Sequence, residues 1–530
     1  MWLVKILLLI FIKTSIQASD PSSFTYKAGV VELNVSPRPD FERNSTQWTK
    51  QQLSQYLEIL HTLPEDLDIL VFPESTLNAL DTAFEIPEVN DKIVACNNSN
   101  YEDDNLIKIF SCEAIIHKVY IVINLVTKAK CPDPEMIVNN DPRNCNNRPD
   151  GFSYYNTNIV FDRNGTLISR YRKYHLYNEQ VDRPLKPTME YFDTDFGVRF
   201  GHFICFDIAY QYPALELVRN YNLTDIVYPT MWFSELPYLT AIQVQQNWAY
   251  ANNVNLLAAG ANNIQSTSTG SGIYGGKKGA YVLDMAGTSK TELHTATVYK
   301  IKDFLQNENE IIEHKVVEYT KEELRNLTLL RDPMIDHPIE FLDDTIGEHY
   351  ASIGTCKNSF CCNINVNYTI PNLALNNRIQ YGISFFHGIR SFHGVDDGGI
   401  VVCTVVACLS KNISTCGLRN DSLENIHIWN SINIEAEFLE KNNKYLYFPN
   451  TLNTAIVPLQ PKAFDYQITD LKNDKIKITM KLHGNQNIDN LITFGIYGRD
   501  FTLDNGVIQK VSILLMTSLL MVYFGFTKMF

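Results

Sequence analysis

Three apolar runs in this chain end in groups that can do chemistry. Asp68-Ile69-Leu70-Val71-Phe72-Pro73-Glu74 ends in a carboxylate, Thr166 to Tyr171 runs into Arg172-Lys173, and Phe200-Gly201-His202-Phe203-Ile204 ends at Cys205. A thiol attacks an unactivated carbonyl only with a base to take its proton and a positive group to steady the charge that develops on oxygen. Glu74 offers the first function. Lys173 offers the second, for the oxyanion and for the thiolate alike. The three lie far apart in sequence, so they can meet only where strand ends converge along one edge of a sheet. Two histidines compete as partners of the thiol. His202 is three residues before Cys205, an odd spacing that within one strand turns the two side chains to opposite faces. His175 is better placed, but no papain-type signature surrounds Cys205. Each residue also has a plain reading: a buried core thiol for Cys205, a solvated strand-end carboxylate for Glu74, a surface lysine for Lys173.

The cysteine count bears on which reading of Cys205 holds. There are eleven. Cys96, Cys112, Cys131 and Cys145 form one group and Cys356, Cys361, Cys362, Cys403, Cys408 and Cys416 another. Each group can pair internally, which leaves Cys205 alone; which partner each cysteine takes stays open. The pairing presupposes an oxidising compartment, and both chain ends carry matching signals. Lys5 followed by the apolar run Ile6 to Ile12 and by Ala18 predicts a signal peptide over residues 1–18. The apolar stretch Val511 to Phe526, within residues 505–530, predicts a glycosylphosphatidylinositol signal, with a retained membrane anchor as the alternative. Nine Asn-x-Ser/Thr sequons, at Asn34, Asn44, Asn97, Asn164, Asn222, Asn326, Asn367, Asn412 and Asn420, fit a secreted glycoprotein, Asn34 least because it falls in a strand pattern. A net charge of −14 argues against a nucleic-acid partner.

The elements that must position the three groups alternate between strand and helix. Gly29 to Val35 reads as a strand, Gln47 to Leu63 as a helix with Leu53, Tyr56, Leu57 and Leu60 at helical spacing, and Asp68 to Glu74 as a strand. Val119 to Asn124 follows as a buried strand. Tyr155 to Phe161 and Thr166 to Tyr171 form a hairpin about Asp162-Arg163-Asn164-Gly165. Further on come a helix over Ala214 to Asn220, a strand over Asp225 to Thr230, a helix over Leu239 to Asn253 and a strand over Val254 to Gly260. Gly270-Ser271-Gly272-Ile273-Tyr274-Gly275 reads as a flexible turn and lacks the Lys-Ser/Thr and helix of a phosphate loop, so nucleotide binding is discounted. The alternation stops between Asn307 and His349. Short alternating segments such as Ile400 to Val402 and Ile476 to Leu482 then describe a smaller β-rich, disulfide-tied domain over 325–500.

Phe72-Pro73-Glu74, Arg172-Lys173-x-His175-Leu176 and Ile204-Cys205-Phe206-Asp207, in that order, resemble the Glu-Lys-Cys triad of the nitrilase superfamily of carbon-nitrogen hydrolases, and its secreted vanin and biotinidase branch above all. Tyr155-Asn156-Thr157, Thr230-Met231-Trp232, Leu236-Pro237-Tyr238-Leu239-Thr240-Ala241 and Gly270-Ser271-Gly272-Ile273-Tyr274 support the resemblance, which covers residues 25–310. It implies an α/β fold with a four-layer α-β-β-α sandwich, and amide hydrolysis without metal or organic cofactor. It assigns Glu74 as general base, Lys173 as stabiliser of the tetrahedral intermediate, Cys205 as nucleophile and Glu179 as a supporting carboxylate. The implied substrate is a small-molecule amide, pantetheine first and a biotin amide as the alternative, with a catalytically silent surface glycoprotein as the reading from another class. Trp232 and Tyr274 are candidate pocket walls, each also a plausible core residue.

Overall fold

The computed structural model describes residues 18–35, 45–138, 140, 145, 149–301, 314–332, 334–357, 360–371, 378–420, 426–439, 444–483 and 490–504. The expected signal peptide, the apolar tail and the sequon at Asn44 lie outside these residues, apart from Ala18.

Two sheets meet at one strand. Thr25–Asn34 pairs in parallel with Ile69–Val71 and antiparallel with Glu292–Tyr299. Outward from Ile69–Val71 follow Tyr120–Lys130, Phe152–Phe161 and Leu167–Arg172. The end of Thr25–Asn34 joins the second sheet, where Leu33 sits opposite Ala261 of the strand Asn255–Asn262. That strand lies between Asp225–Thr230 and Ser271–Gly275.

Side-chain alternation along these strands creates the layers. Ala28, Val30, Ile69, Val71, Tyr120 and Val122 face the space between the sheets, where they meet Val227, Leu257 and Ala259. Val31, Leu33, Leu70, Ile121 and Ile123 face the other way, onto residues of the helices Ser45–His61 and Leu106–His117. Leu256 and Ala258 pack instead with Trp248 and Ala249 of the helix Ala241–Asn252. Helix, sheet, sheet, helix is the sandwich that the resemblance implied.

The chain after 338 builds two antiparallel five-stranded sheets. Their facing sides form a separate core, with Ile364, Ile434 and Ile478 from one sheet against Ile383, Val405 and Ile496 from the other. The strands are longer than the sequence pattern indicated: Gln380–Phe392 and Asp396–Cys408 pair along their whole length. The outer face of that sheet, with Ile400, Val402, Leu446 and Phe448, shares a core with the helix Ala241–Asn252. The helix is therefore buried on every side, and Gln243 and Gln246 find partners across the junction. Gln243 Nε2 donates to Pro237 O at 3.0 Å and Asn450 Oδ1 at 2.8 Å, and Gln246 Nε2 to Leu459 O at 2.8 Å.

Two expectations change. The flexible turn at 270–275 is instead a buried strand, Ser271–Gly275. Its glycines serve close packing: a Cβ on Gly260 would strike the Gly270 carbonyl, and one on Gly272 the Tyr274 hydroxyl. The helix expected over 214–220 is present as a π-helical turn, Gln211–Leu215, running into the α-helical turn Glu216–Arg219. The strand expected to reach Cys205 stops at His202. The hairpin is as expected, with Gly165 at φ +74° closing its turn. The cysteines pair as Cys96–Cys112, Cys131–Cys145, Cys356–Cys361, Cys362–Cys403 and Cys408–Cys416, and Cys205 is the free, buried thiol.

Candidate active site

Glu74, Lys173, Glu179 and Cys205 line one cavity of about 660 Å³. Glu74 follows the strand Ile69–Val71, and Lys173 follows directly on Leu167–Arg172. The turn after Glu74 has Ser75 at φ +54°, held by its N–H on Asn124 Oδ1 at 2.8 Å. Lys173 is only 1 % exposed. Its ammonium donates to Glu74 Oε1 at 2.7 Å and to Glu179 Oε1. Asn156 Nδ2 bridges the two carboxylates, at 2.8 Å from Glu74 Oε1 and 3.0 Å from Glu179 Oε2. The Met231 N–H holds the second Glu74 oxygen at 2.8 Å, and the Met231 carbonyl lies 3.6 Å from Cys205 Sγ. The backbone of one residue, through the peptide groups on its two sides, thus clamps the carboxylate and accepts from the thiol.

Burial alone would lower the Lys173 pKa, but the charges of Glu179 and Glu74 outweigh it and hold the ammonium well above the ordinary lysine value. Burial raises Glu179, with the Glu74 charge adding to the effect and Lys173 opposing it. Burial also pushes the Cys205 thiol far above its usual value; Glu74 adds to the rise and Lys173 counters it. The resting group is therefore a thiol, and it must hand its proton to a base before it attacks. Alkylation of Cys205 by iodoacetamide is accordingly expected to keep accelerating past pH 9, beyond the usual thiol pKa of about 8.5. A rate that levels off below pH 8 would indicate a preformed thiolate–lysine pair instead.

Cys205 starts a short 3₁₀ turn, Cys205–Ala209, with φ at +46°. This left-handed conformation is costly for a residue with a side chain and persists only where neighbours hold it. Tyr228 Oη donates to the Cys205 carbonyl at 2.8 Å. Asp207, wholly buried, ties three segments together: it accepts from Ile204 N at 3.1 Å, Tyr171 Oη at 2.8 Å and His175 N at 2.8 Å. It thereby fixes the cysteine turn to the segment that carries Lys173. Burial pushes Asp207 up to about 7, against the pull of these donors and of Lys173. Asp207→Asn places an amide where two backbone N–H groups and a hydroxyl need acceptors. We expect it to cost about 1–3 kcal/mol in urea unfolding and to lower kcat more than it raises KM.

Neither histidine serves the thiol. His202 Nε2 pairs with Ser169 Oγ at 2.9 Å, and burial drives its pKa down to about 3. The strand ends at His202, so backbone turning, and not parity within a strand, sets its side chain apart from Cys205. His175 stacks on Tyr210 with ring centroids 3.6 Å apart, and its Nε2 lies 2.8 Å from Tyr212 O. Of the two aromatic candidates, Trp232 borders a second, smaller cavity at Cys205. Tyr274 is core, its hydroxyl on Gln245 Oε1 at 2.9 Å.

Sequence reasoning missed the roles of Asn156, Met231, Asp207 and His393. Two buried asparagines alternating in a strand, Asn156 and Asn158, are the local signal for the first; both accept from Asn124 Nδ2, at 2.6 and 3.0 Å. His393, from the sheets after 338, lines the large cavity, and no local signal marks it. One group among the described residues, Asp284, Glu292 and His294, is close enough to hold a metal ion. Lys290 already lies 2.6 Å from both carboxylates there and supplies the positive charge.

Residues 28–287 match the carbon-nitrogen hydrolase family and residues 338–504 the Vanin C-terminal domain. Vanin-like protein 1 of Drosophila melanogaster is 35% identical over 520 residues, covering 94% of this chain and 90% of that protein. Human biotinidase is 30% identical over 78% of this chain and 81% of its own length. Human pantetheine hydrolase VNN2 is 26% identical over 94% of this chain and 92% of its own length.

Proposed function

This chain belongs to the vanin branch of the carbon-nitrogen hydrolases, and we propose that it hydrolyses pantetheine to pantothenate and cysteamine. The observation that carries this reading is the meeting of Glu74, Lys173 and Glu179 with the unpaired thiol of Cys205 around one cavity. Glu74 takes the Cys205 proton, and the sulfur bonds to the amide carbon. Lys173 has three N–H donors; two hold the carboxylates, and the third meets the oxyanion. As that intermediate collapses, the carbon–nitrogen bond breaks, Glu74 returns the proton to the leaving amine, and a thioester remains on Cys205. Glu74 then deprotonates water, which attacks the thioester, releases the acid and restores the thiol. Glu179 holds Lys173 in place and balances its charge.

A second reading, a biotin-amide hydrolase, draws on the 30% identity to human biotinidase. Purified protein assayed on pantetheine and on biotinyl-lysine separates the two. Pantothenate release with little biotin release is expected; the reverse selects the second reading. Turnover of neither would leave a binding glycoprotein.

Secretion and surface attachment are part of the proposal. Five disulfides suit an oxidising compartment. The sequons at Asn97, Asn164, Asn222, Asn326, Asn412 and Asn420 are exposed and open to glycosylation. Phosphatidylinositol-specific phospholipase is expected to release the protein from cells; resistance would assign the tail to a retained anchor.

A further inference from the structure

Cys205 lies on the boundary of two unequal cavities. The larger, of about 660 Å³, holds the charged cluster and has Asn178, Gln180, Ser266 and Thr267 on its wall. The smaller, of about 50 Å³, is walled mainly by apolar and aromatic groups, among them Phe206, Trp232, Val244 and Trp248, with Glu235 and Arg499, paired to Arg390 and Asp504, as its charged members. Cys205, Tyr177, Phe233 and His393 border both. The far wall of the small chamber comes from the C-terminal sheets, through Phe392, Leu446, Phe448 and Tyr497.

Resting on the pantetheine reading, we propose that this small chamber is the leaving-group subsite, so that the C-terminal domain selects the amine that departs. An amide bond placed over Cys205 sends its acyl part to one side and its amine part to the other. A long polar acyl chain fits only the large cavity. The chamber of about 50 Å³ has room for about three to five water-sized groups, at about 10–15 Å³ each. The CH2–CH2–SH tail of cysteamine is three such groups, apolar enough for the walls. Its sulfur suits aromatic surroundings. The lysine of a biotinyl-lysine amide is too long for the chamber.

The test is a series of pantothenoyl amides that differ only in the amine: ammonia, ethylamine, cysteamine, butylamine and hexylamine. kcat/KM is expected to rise about tenfold or more from the unsubstituted amide to the cysteamine amide, and to fall about tenfold or more at the hexyl amide. Val244→Phe, which fills the chamber, should lower the ratio of cysteamine amide to unsubstituted amide about tenfold or more; the ratio cancels any change in the folded fraction. Phe392→Ala, which lengthens it, should restore cleavage of the hexyl amide. Cleavage of the series with no dependence on amine length, or ratios unchanged in both variants, overturns the subsite and leaves the pantetheine reading standing. Failure of the unaltered protein to cleave any member overturns that reading, and the subsite with it.

Discussion

Cys205→Ala is expected to lower kcat for pantetheine by on the order of 10⁵-fold or more, because a chain without its nucleophile keeps only binding and electrostatic help. Stability should change by no more than about 1 kcal/mol. The lost group is one sulfur atom, and the left-handed backbone at this position, φ +46°, is no harder for alanine than for cysteine. Two measurements decide the matter. Urea unfolding should give nearly the same midpoint for both proteins. Acid-quenched reactions should show the acyl adduct by intact mass in the unaltered protein and not in the variant. Residual turnover within about a hundredfold of the starting rate would remove Cys205 as the nucleophile and require another group to carry the acyl chain.

Lys173→Met should harm both activity and fold, for separable reasons. Methionine keeps most of the apolar stem and removes the charge. The developing oxyanion then loses its positive partner, at a cost of about 3 kcal/mol or more in the barrier, by comparison with a lost oxyanion donor. In the folded protein Glu74 and Glu179, both hydrogen-bonded to this ammonium, face each other with no cation between them. Breaking a buried pair in this way costs about 3–5 kcal/mol. The double variant Lys173→Met with Glu179→Gln separates the effects. Removing one of the two stranded charges should recover a large part of the lost stability, since Glu74 keeps Asn156 and the Met231 N–H. It should recover none of the activity. A single variant that unfolds within about 1 kcal/mol of the starting protein would show that the cluster does not hold two ionised carboxylates around the lysine.

The meeting of Glu74, Lys173 and Cys205 at one cavity was legible in the chain because each member closes an apolar run. Strands that run into a sheet edge leave their last polar residue at that edge, so Glu74 and Lys173 could be assigned a shared location from local pattern alone. The odd cysteine was legible by counting: two groups of even number leave one thiol over, and only Cys205 is unpaired. The four-layer order was what the resemblance implied, and alternation is how the strands realise it, since Ala28 and Val30 face one interior and Val31 and Leu33 the other. Glycine misled. At 270–275 it looked like freedom, but a missing side chain equally allows close approach, and only the neighbours of Gly260 and Gly272 tell the two apart.

The sequence by itself determined the reaction class, the gathering of Cys205 with Glu74 and Lys173 at one site, and the division of the cysteines, because these follow from residue type, order and number. It could not supply what depends on contact between distant segments. The helix Ala241–Asn252, polar at Gln243 and Gln246, is buried only because Asn450 and the Leu459 carbonyl arrive from more than 200 positions away to pair with those groups. Met231 acquires its place through its peptide group, and backbone atoms are the same in every residue. His393 and Phe392 reach the thiol because a hairpin of the C-terminal sheet docks there. Such pairings are set by which surfaces fit together, and that is a property of the folded whole.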